Sequence, residues 1–167
     1  MYKMAKVLIV DDETHIRNVI SIRMKDAEFE VEALASGEAA LEVVRAFQPD
    51  LIVSDFYMPA MKGPEVLKKV GEIDPYIVRM ILTGKPDLSA VVAATFDGGV
   101  HSFLIKPWDN EALRMEVRNA IYQHDLLVER DATMARIKEA EMDEFRGLLR
   151  QNAQDHVESM KQRAKNS

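Results

Sequence analysis

Four positions carry residues able to handle a hard cation and a phosphoryl group: Asp11-Asp12, Asp55, Thr83 and Lys106. Each closes a short run of mostly apolar side chains, and Asp55 ends the run Leu51-Ile52-Val53-Ser54. A lone carboxylate at the end of a buried strand cannot stay in the core without partners, because desolvating it costs too much. In open α/β sheets, the carboxyl ends of the strands are where ligands bind. Three acids converging on one sheet edge suit Mg²⁺, which takes oxygen ligands, keeps waters and combines a few carboxylates with a phosphate. Their mutual repulsion raises their affinity for protons and metal until a cation neutralises them. With metal bound, Asp55 is placed as an in-line nucleophile toward phosphorus, giving an acyl phosphate. The equatorial charge that develops needs a cation and hydrogen-bond donors, which Lys106, the Thr83 hydroxyl and backbone N–H groups supply. Taken singly, Thr83 reads as a turn residue, Lys106 as a solvated charge and Asp12 as a helix cap. Together, at successive strand ends, they are much harder to obtain by chance.

The elements that position them follow from the change of hydrophobic period along the chain. Lys6 to Val10 is a buried-strand pattern, followed by Asp11-Asp12-Glu13. From Thr14 the spacing of Ile16, Val19 and Ile20 turns helical. Phe29 to Leu34 alternates apolar and charged residues, as an edge-side strand does. Ser36-Gly37 opens a helix that Pro49 stops, and the strand ending at Asp55 follows. After the loop Tyr57 to Gly63, Pro64 suits the first turn of a short helix. Val78 to Leu82 is a fourth strand, and Asp87 caps an Ala- and Val-rich helix ending at Gly98-Gly99. Val100 to Ile105 is a fifth strand, ending at Lys106-Pro107. Strands alternating with helices in units of this size imply an α/β fold, a doubly wound parallel sheet. Asp109 then caps a last helix, with Trp108 and Leu113 forming a hydrophobic staple across it.

The 167 residues carry 22 Lys+Arg against 28 Asp+Glu, and 47% of them are hydrophobic. That is enough for one domain with something appended. An acidic body with no basic stripe argues against nucleic acid as the main partner. The absence of Cys excludes disulfides, thiolate zinc sites and thiol catalysis. The run Val7-Leu8-Ile9-Val10 is too short for a signal segment, and no stretch reaches the length of a membrane span. A soluble, cytoplasmic protein is the expectation.

Val7-Leu8-Ile9-Val10-Asp11-Asp12-Glu13, Asp55-Phe56-Tyr57-Met58-Pro59 with Met61 and Gly63, Leu82-Thr83-Gly84, and Lys106-Pro107 resemble the receiver domain of two-component response regulators. The resemblance covers about residues 5–121. It implies a five-stranded CheY-like, flavodoxin-like sheet of order 2-1-3-4-5 and a receiver domain over residues 1–121, with a helical extension over 122–167. It implies that Asp55 accepts the phosphoryl group from a sensor histidine kinase or phosphotransfer protein. Asp11, Asp12, Asp55 and the backbone carbonyl of Tyr57 would hold Mg²⁺, and Thr83 and Lys106 would contact the phosphoryl group. The Lys106–Pro107 bond would be cis, and Phe103 would occupy the aromatic switch position. Phe103 has no hydroxyl, so an inward swing gains burial but no hydrogen bond; permanent core packing is the ordinary fate of a strand Phe. Lys62 stands where an acidic residue is common. Tyr57 and Lys85 lie where family members tune the access of water, and bulky Tyr57 is expected to slow self-hydrolysis.

In the extension, Ile121, Val128, Ala135, Met142 and Leu149 recur at sevens, with Leu127, Met134 and Leu148 beside them. That predicts an apolar stripe on a long, dimerising helix of coiled-coil type, in which Glu141 breaks the second series and His124, Asp131 and Lys138 occupy neighbouring positions. Beyond Gly147 the chain turns polar and a loose end is expected; His124 and His156 are read as surface residues. The leading expectation is a signalling switch rather than an enzyme, with only slow self-dephosphorylation. Alternatives are the front portion of a longer regulator with an enzymatic output, such as cyclic-dinucleotide metabolism, and a stand-alone aspartyl-phosphate phosphatase. A dehalogenase-type phosphatase would want a second Asp at Tyr57. A DNA-binding output would need a helix-turn-helix or basic tail, which the sequence does not display.

Overall fold

The computed structural model describes residues 4–26, 29–84, 88–97 and 99–167. Its elements run β1 (Lys6–Val10), α1 (Thr14–Asp26), β2 (Glu30–Leu34), α2 (Gly37–Phe47), β3 (Leu51–Asp55), α3 (Gly63–Ile73), β4 (Val78–Thr83), α4 (Leu88–Phe96), β5 (Ser102–Ile105) and α5 (Asn110–Lys165). The five strands form one sheet in the order β2-β1-β3-β4-β5. Every pairing is parallel. The α/β, doubly wound expectation is met, with the strand order 2-1-3-4-5.

Burial on both faces explains the apolar runs. Leu8, Val10 and Ile52 point to one face with Val44, Leu67 and Val70 from α2 and α3. Val7, Ile9 and Val53 point to the other with Ile20, Met24 and Val117 from α1 and α5. Because consecutive strand residues alternate faces, Val7 to Val10 of β1 and Leu51 to Val53 of β3 must be apolar without interruption. β2 pairs only with β1, and its Glu30 and Glu32 keep the outer edge polar.

The helix boundaries have local causes. The Ser36 side chain accepts a hydrogen bond from the Ala39 N–H, capping α2. Gln48 ends it in the left-handed conformation (φ 53°), its N–H bonded to the Val44 carbonyl. Pro64 lies in the first turn of α3. At α5, the Leu113 N–H donates to the Asp109 carbonyl (3.0 Å). Trp108 packs in the same cluster as buried Leu113, as a staple requires.

Three expectations change. β5 begins at Ser102 rather than Val100, because the Arg79 N–H donates to the His101 ring at Nδ1 (3.0 Å) instead of to a strand carbonyl. The chain beyond Gly147 is helical rather than loose at its end: α5 continues to Lys165, since good helix formers such as Leu148, Leu149, Arg150 and Gln151 follow the glycine. His124 is not a plain surface residue; its side chain is 13% exposed with Nδ1 3.1 Å from Asp125, whereas His156 is exposed. The proposed cap Asp87, with Lys85 and Gly98, lies outside the described residues. By its internal contacts the chain forms two compact units, Met1–Leu126 and Leu127–Ser167. No helix among the described residues is long and apolar enough to cross a membrane.

Candidate functional site: an acidic cleft at the carboxyl edge of the sheet

Strand register brings the chemistry-bearing residues together. Val10 of β1 lies beside Ser54, so Asp11 and Asp55 leave the sheet side by side. Asp55 pairs with Leu82, and Thr83 with Ile105, which places Thr83 and Lys106 on the same edge. The Lys106 N–H continues that edge by donating to the Thr83 carbonyl (2.7 Å). The Lys106–Pro107 peptide is cis.

Lys106 lies between the two buried carboxylates. Its Nζ donates to Asp55 Oδ1 at 3.0 Å and stands 3.5 Å from Asp11 Oδ2. The Phe56 N–H donates to the same Asp55 oxygen (3.0 Å). The Glu13 N–H donates to Asp11 Oδ1 (2.9 Å), while Asp11 Oδ2 is buried, within ion-pair reach of Lys106 but without a hydrogen bond. Asp11 is 0% exposed and Asp55 6%. Asp12 is exposed.

These positions set the charge states. Burial pushes the Asp11 carboxyl above the ordinary carboxylate range against the opposing pull of the Glu13 N–H and Lys106, and the Asp55 charge adds to the rise. Burial raises Asp55 too, opposed by the Lys106 hydrogen bond and charge, with Asp12 adding to the rise. Burial works against the charged form of Lys106, but the bond to Asp55 and the Asp11 charge outweigh it and hold the amine above its usual value. One oxygen from each of Asp11, Asp12 and Asp55 lies within 4.8 Å of the others, a spacing that can hold a metal ion. The unbonded Asp11 Oδ2 and the excess of carboxylates over cations fit a hard divalent ion. Asp55, Tyr57, Glu13, Gly84 and Lys106 line a cleft of about 530 Å³ at this edge.

The surroundings hold the site's backbone. Gly63 packs so closely that a Cβ there would overlap the Asp55 carbonyl oxygen, and its N–H donates to the Phe56 carbonyl (2.9 Å). Tyr57 is 48% exposed, with Lys62 Nζ 5.9 Å from its ring centre. Thr83 is buried at 1% exposure, while Phe103 is 41% exposed. Phe103 is therefore not a core side chain.

Residues 7–118 match the response regulator receiver domain. The chain belongs to that family. The hydrogenase transcriptional regulatory protein HoxA of Cupriavidus necator is 34% identical over 119 residues, which are 71% of this chain and 24% of HoxA. The chain thus spans about a quarter of the length of that relative. Among solved structures, the chemotaxis protein CheY4 of Vibrio cholerae is 32% identical with a TM-score of 0.67, over 71% of this chain and 99% of CheY4. The signal receiver domain of an HD domain-containing protein from Pseudomonas fluorescens is 26% identical with a TM-score of 0.73, over 78% of this chain and 96% of that one.

Two further residues carry weak sequence signals, Arg17 beside the site and Arg79 near the start of β4, away from it. Arg17, one turn into α1, donates from Nη1 to the Asp11 carbonyl (2.7 Å) and from Nη2 to Thr14 Oγ1 (3.3 Å), pinning the peptide between the two acids. Its signal was only a cation on the polar face of α1 soon after an acidic pair. Arg79 is 6% exposed in β4 and donates from Nε to the Gly99 carbonyl (3.1 Å). A charge inside the run Val78-Arg79-Met80-Ile81-Leu82 was the available sign of it.

Proposed function

We propose that this receiver is a phosphorylation-operated switch that takes a phosphoryl group from a histidine kinase or phosphotransfer protein onto Asp55. An Asp55 carboxylate oxygen attacks phosphorus, the new O–P bond forms as the P–N bond to the donor imidazole breaks, and the imidazole leaves. The observation that carries this reading is the Asp55 carboxylate at the end of β3, bonded at 3.0 Å to Lys106 and grouped with Asp11 and Asp12. Asp11, Asp12, Asp55 and the Tyr57 carbonyl are the residues to hold Mg²⁺, which neutralises the reacting oxygens when bound. Lys106 and the Thr83 hydroxyl receive the charge of the transferred group. The chain acts as acceptor rather than turnover enzyme, with slow self-dephosphorylation. Its net charge of −6 favours protein over nucleic-acid partners, and a cytoplasmic location fits a kinase-fed switch.

The phosphoryl group adds roughly −1.5 to −2 charges beside Thr83 and Lys106. Thr83 moves toward it, and the exposed Phe103 ring fills the space left behind. The resulting shift between two packings alters protein contacts, including association through α5. A second reading is favoured by the coverage of HoxA, only 24% of its length: the chain serves as the receiver of a longer regulator whose output lies elsewhere. The deciding experiment is incubation with a small phosphodonor such as acetyl phosphate and Mg²⁺, read by intact mass. Wild type should gain one phosphoryl group and Asp55→Asn none; equal labelling of both, or none of either, refutes the reading.

A further inference from the structure

The unit Leu127–Ser167 is helical to Lys165 and carries its large apolar side chains exposed: Met134 49%, Ile137 46%, Met142 49%, Phe145 56%, Leu148 59% and Leu149 53%. A row of half-exposed apolar side chains along one helix marks an interaction face. Beside the sevens of the sequence, an eleven-residue recurrence runs along it. Met134 to Phe145, Ile137 to Leu148, Met142 to Ala153 and Leu149 to Met160 are each eleven residues apart. Eleven residues close three turns at about 3.67 per turn, so these series run almost along the helix axis and stay on one face.

Two charges stand inside this face. Lys138 occupies the position between Leu127 and Leu149 in the eleven-residue series, and Glu141 lies three residues further on. They discriminate between orientations. In a parallel, in-register pair every residue meets its own copy, so Lys138 faces Lys138 and Glu141 faces Glu141 within an apolar seam. Such like-charge contacts oppose association. In an antiparallel pair centred between Glu139 and Ala140, Lys138 of each copy meets Glu141 of the other, giving two ion pairs by symmetry. The same register sets Met134 against Phe145 and Ile137 against Met142.

We infer that two copies of the chain associate through this face as antiparallel helices in that register. The apolar side chains of both copies together bury on the order of 1,200 Å², the lower bound of a specific interface, which suits a dimer that a signal can make or break. This deepens the proposal that α5 mediates association and rests on it.

The chain has no Cys, so single Cys variants report the pairing cleanly. Met134→Cys and Phe145→Cys are oxidised separately and as an equal mixture, with sedimentation equilibrium of the wild type alongside. The inference expects a strong cross-link in the mixture and little with either variant alone. Self-linking of either variant as the main product, or a dimer that yields neither cross-link, overturns the antiparallel register while leaving a dimerising helix. A wild-type monomer with and without beryllofluoride overturns both; labelling of Asp55 is read independently of either. A charge swap supplies the second arm. Lys138→Glu should weaken the dimer about tenfold, because two ion pairs become two repulsions. The double variant Lys138→Glu/Glu141→Lys should restore it. A parallel dimer has no reason to respond to the second change, so absence of rescue also overturns the inference.

Discussion

Replacing Lys106 by Met tests the electrostatic construction of the site. The amine stands 3.0 Å from Asp55 Oδ1 and 3.5 Å from Asp11 Oδ2. At an effective dielectric near 20, each contact has a gross attraction of about 5 kcal/mol. Most of that offsets the cost of desolvating the charges, so the gross figure overstates the loss. Removing one member of a buried pair costs about 3–5 kcal/mol, because the remaining charge is left uncompensated. Lys106 retains 16% side-chain exposure, which lets water relieve part of the strain, so a loss of about 2–4 kcal/mol at pH 7 without metal is expected. Both carboxyls already sit above their ordinary value in the fold because of burial. A raised carboxylate pKa makes the neutral acid the better-tolerated form, so stability falls as pH rises from the unfolded-state value through the folded one. Without Lys106 the rise is larger and the fall steeper. The deficit should therefore be greatest at pH 7 and shrink toward pH 4. Urea denaturation followed by Trp108 fluorescence, at several pH values with and without Mg²⁺, measures it; Mg²⁺ should restore much of the loss by neutralising the same acids. A deficit of equal size at both pH values would mean that Lys106 acts through packing of its alkyl chain, and the electrostatic account would be wrong.

Other perturbations probe the supports. Gly63→Ala forces a Cβ onto the Asp55 carbonyl and should cost about 1–3 kcal/mol by denaturation, with slower labelling of Asp55. Arg17→Gln removes the 2.7 Å bond to the Asp11 carbonyl and should raise the Mg²⁺ dissociation constant several-fold in a Trp108 titration; unchanged affinity would assign Arg17 to α1 alone. Tyr57→Ala opens the mouth of the cleft and should shorten the lifetime of the acyl phosphate, followed by loss of label after the donor is removed. A lifetime equal to wild type would dismiss Tyr57 as a barrier to water.

What was legible in the sequence was whatever is written locally. The buried strands β1 and β3 read as unbroken apolar runs because both faces are covered, and Ser36 and Pro64 announced helix starts through their own backbone chemistry. The acids, Thr83 and Lys106 were visible because each follows such a run directly. Less legible was anything settled by contacts distant in sequence. Arg79 reads as a flaw in a strand, yet its Nε bonds to the Gly99 carbonyl, twenty residues away. The start of β5 was placed too early because a hydrophobic pattern cannot foresee that the His101 ring replaces a carbonyl in the ladder.

The same ladder that positions Lys106 can carry the signal outward. Its backbone N–H is bound at 2.7 Å to the Thr83 carbonyl, so the side chain that holds Asp55 and the hydroxyl proposed to meet the phosphoryl group share one backbone link. Three residues before Lys106, Phe103 pairs with Ile81 and lies 41% exposed on the edge strand. When a second anion enters the cleft, Lys106 must divide its charge between Asp55 and the newcomer, and Thr83 gains a partner stronger than any neutral acceptor. Both adjustments fall at the end of the ladder, Thr83 in the last β4–β5 pair and Lys106 one residue past it. In the proposed switch the edge strand takes the second arrangement, while Val7 to Val10 and all of β3, which are buried, keep the three acids in register. A switch of this kind requires a rigid inner sheet and a yielding outer strand. The burial of β3 at every position against the alternating exposure of β5 supplies that contrast.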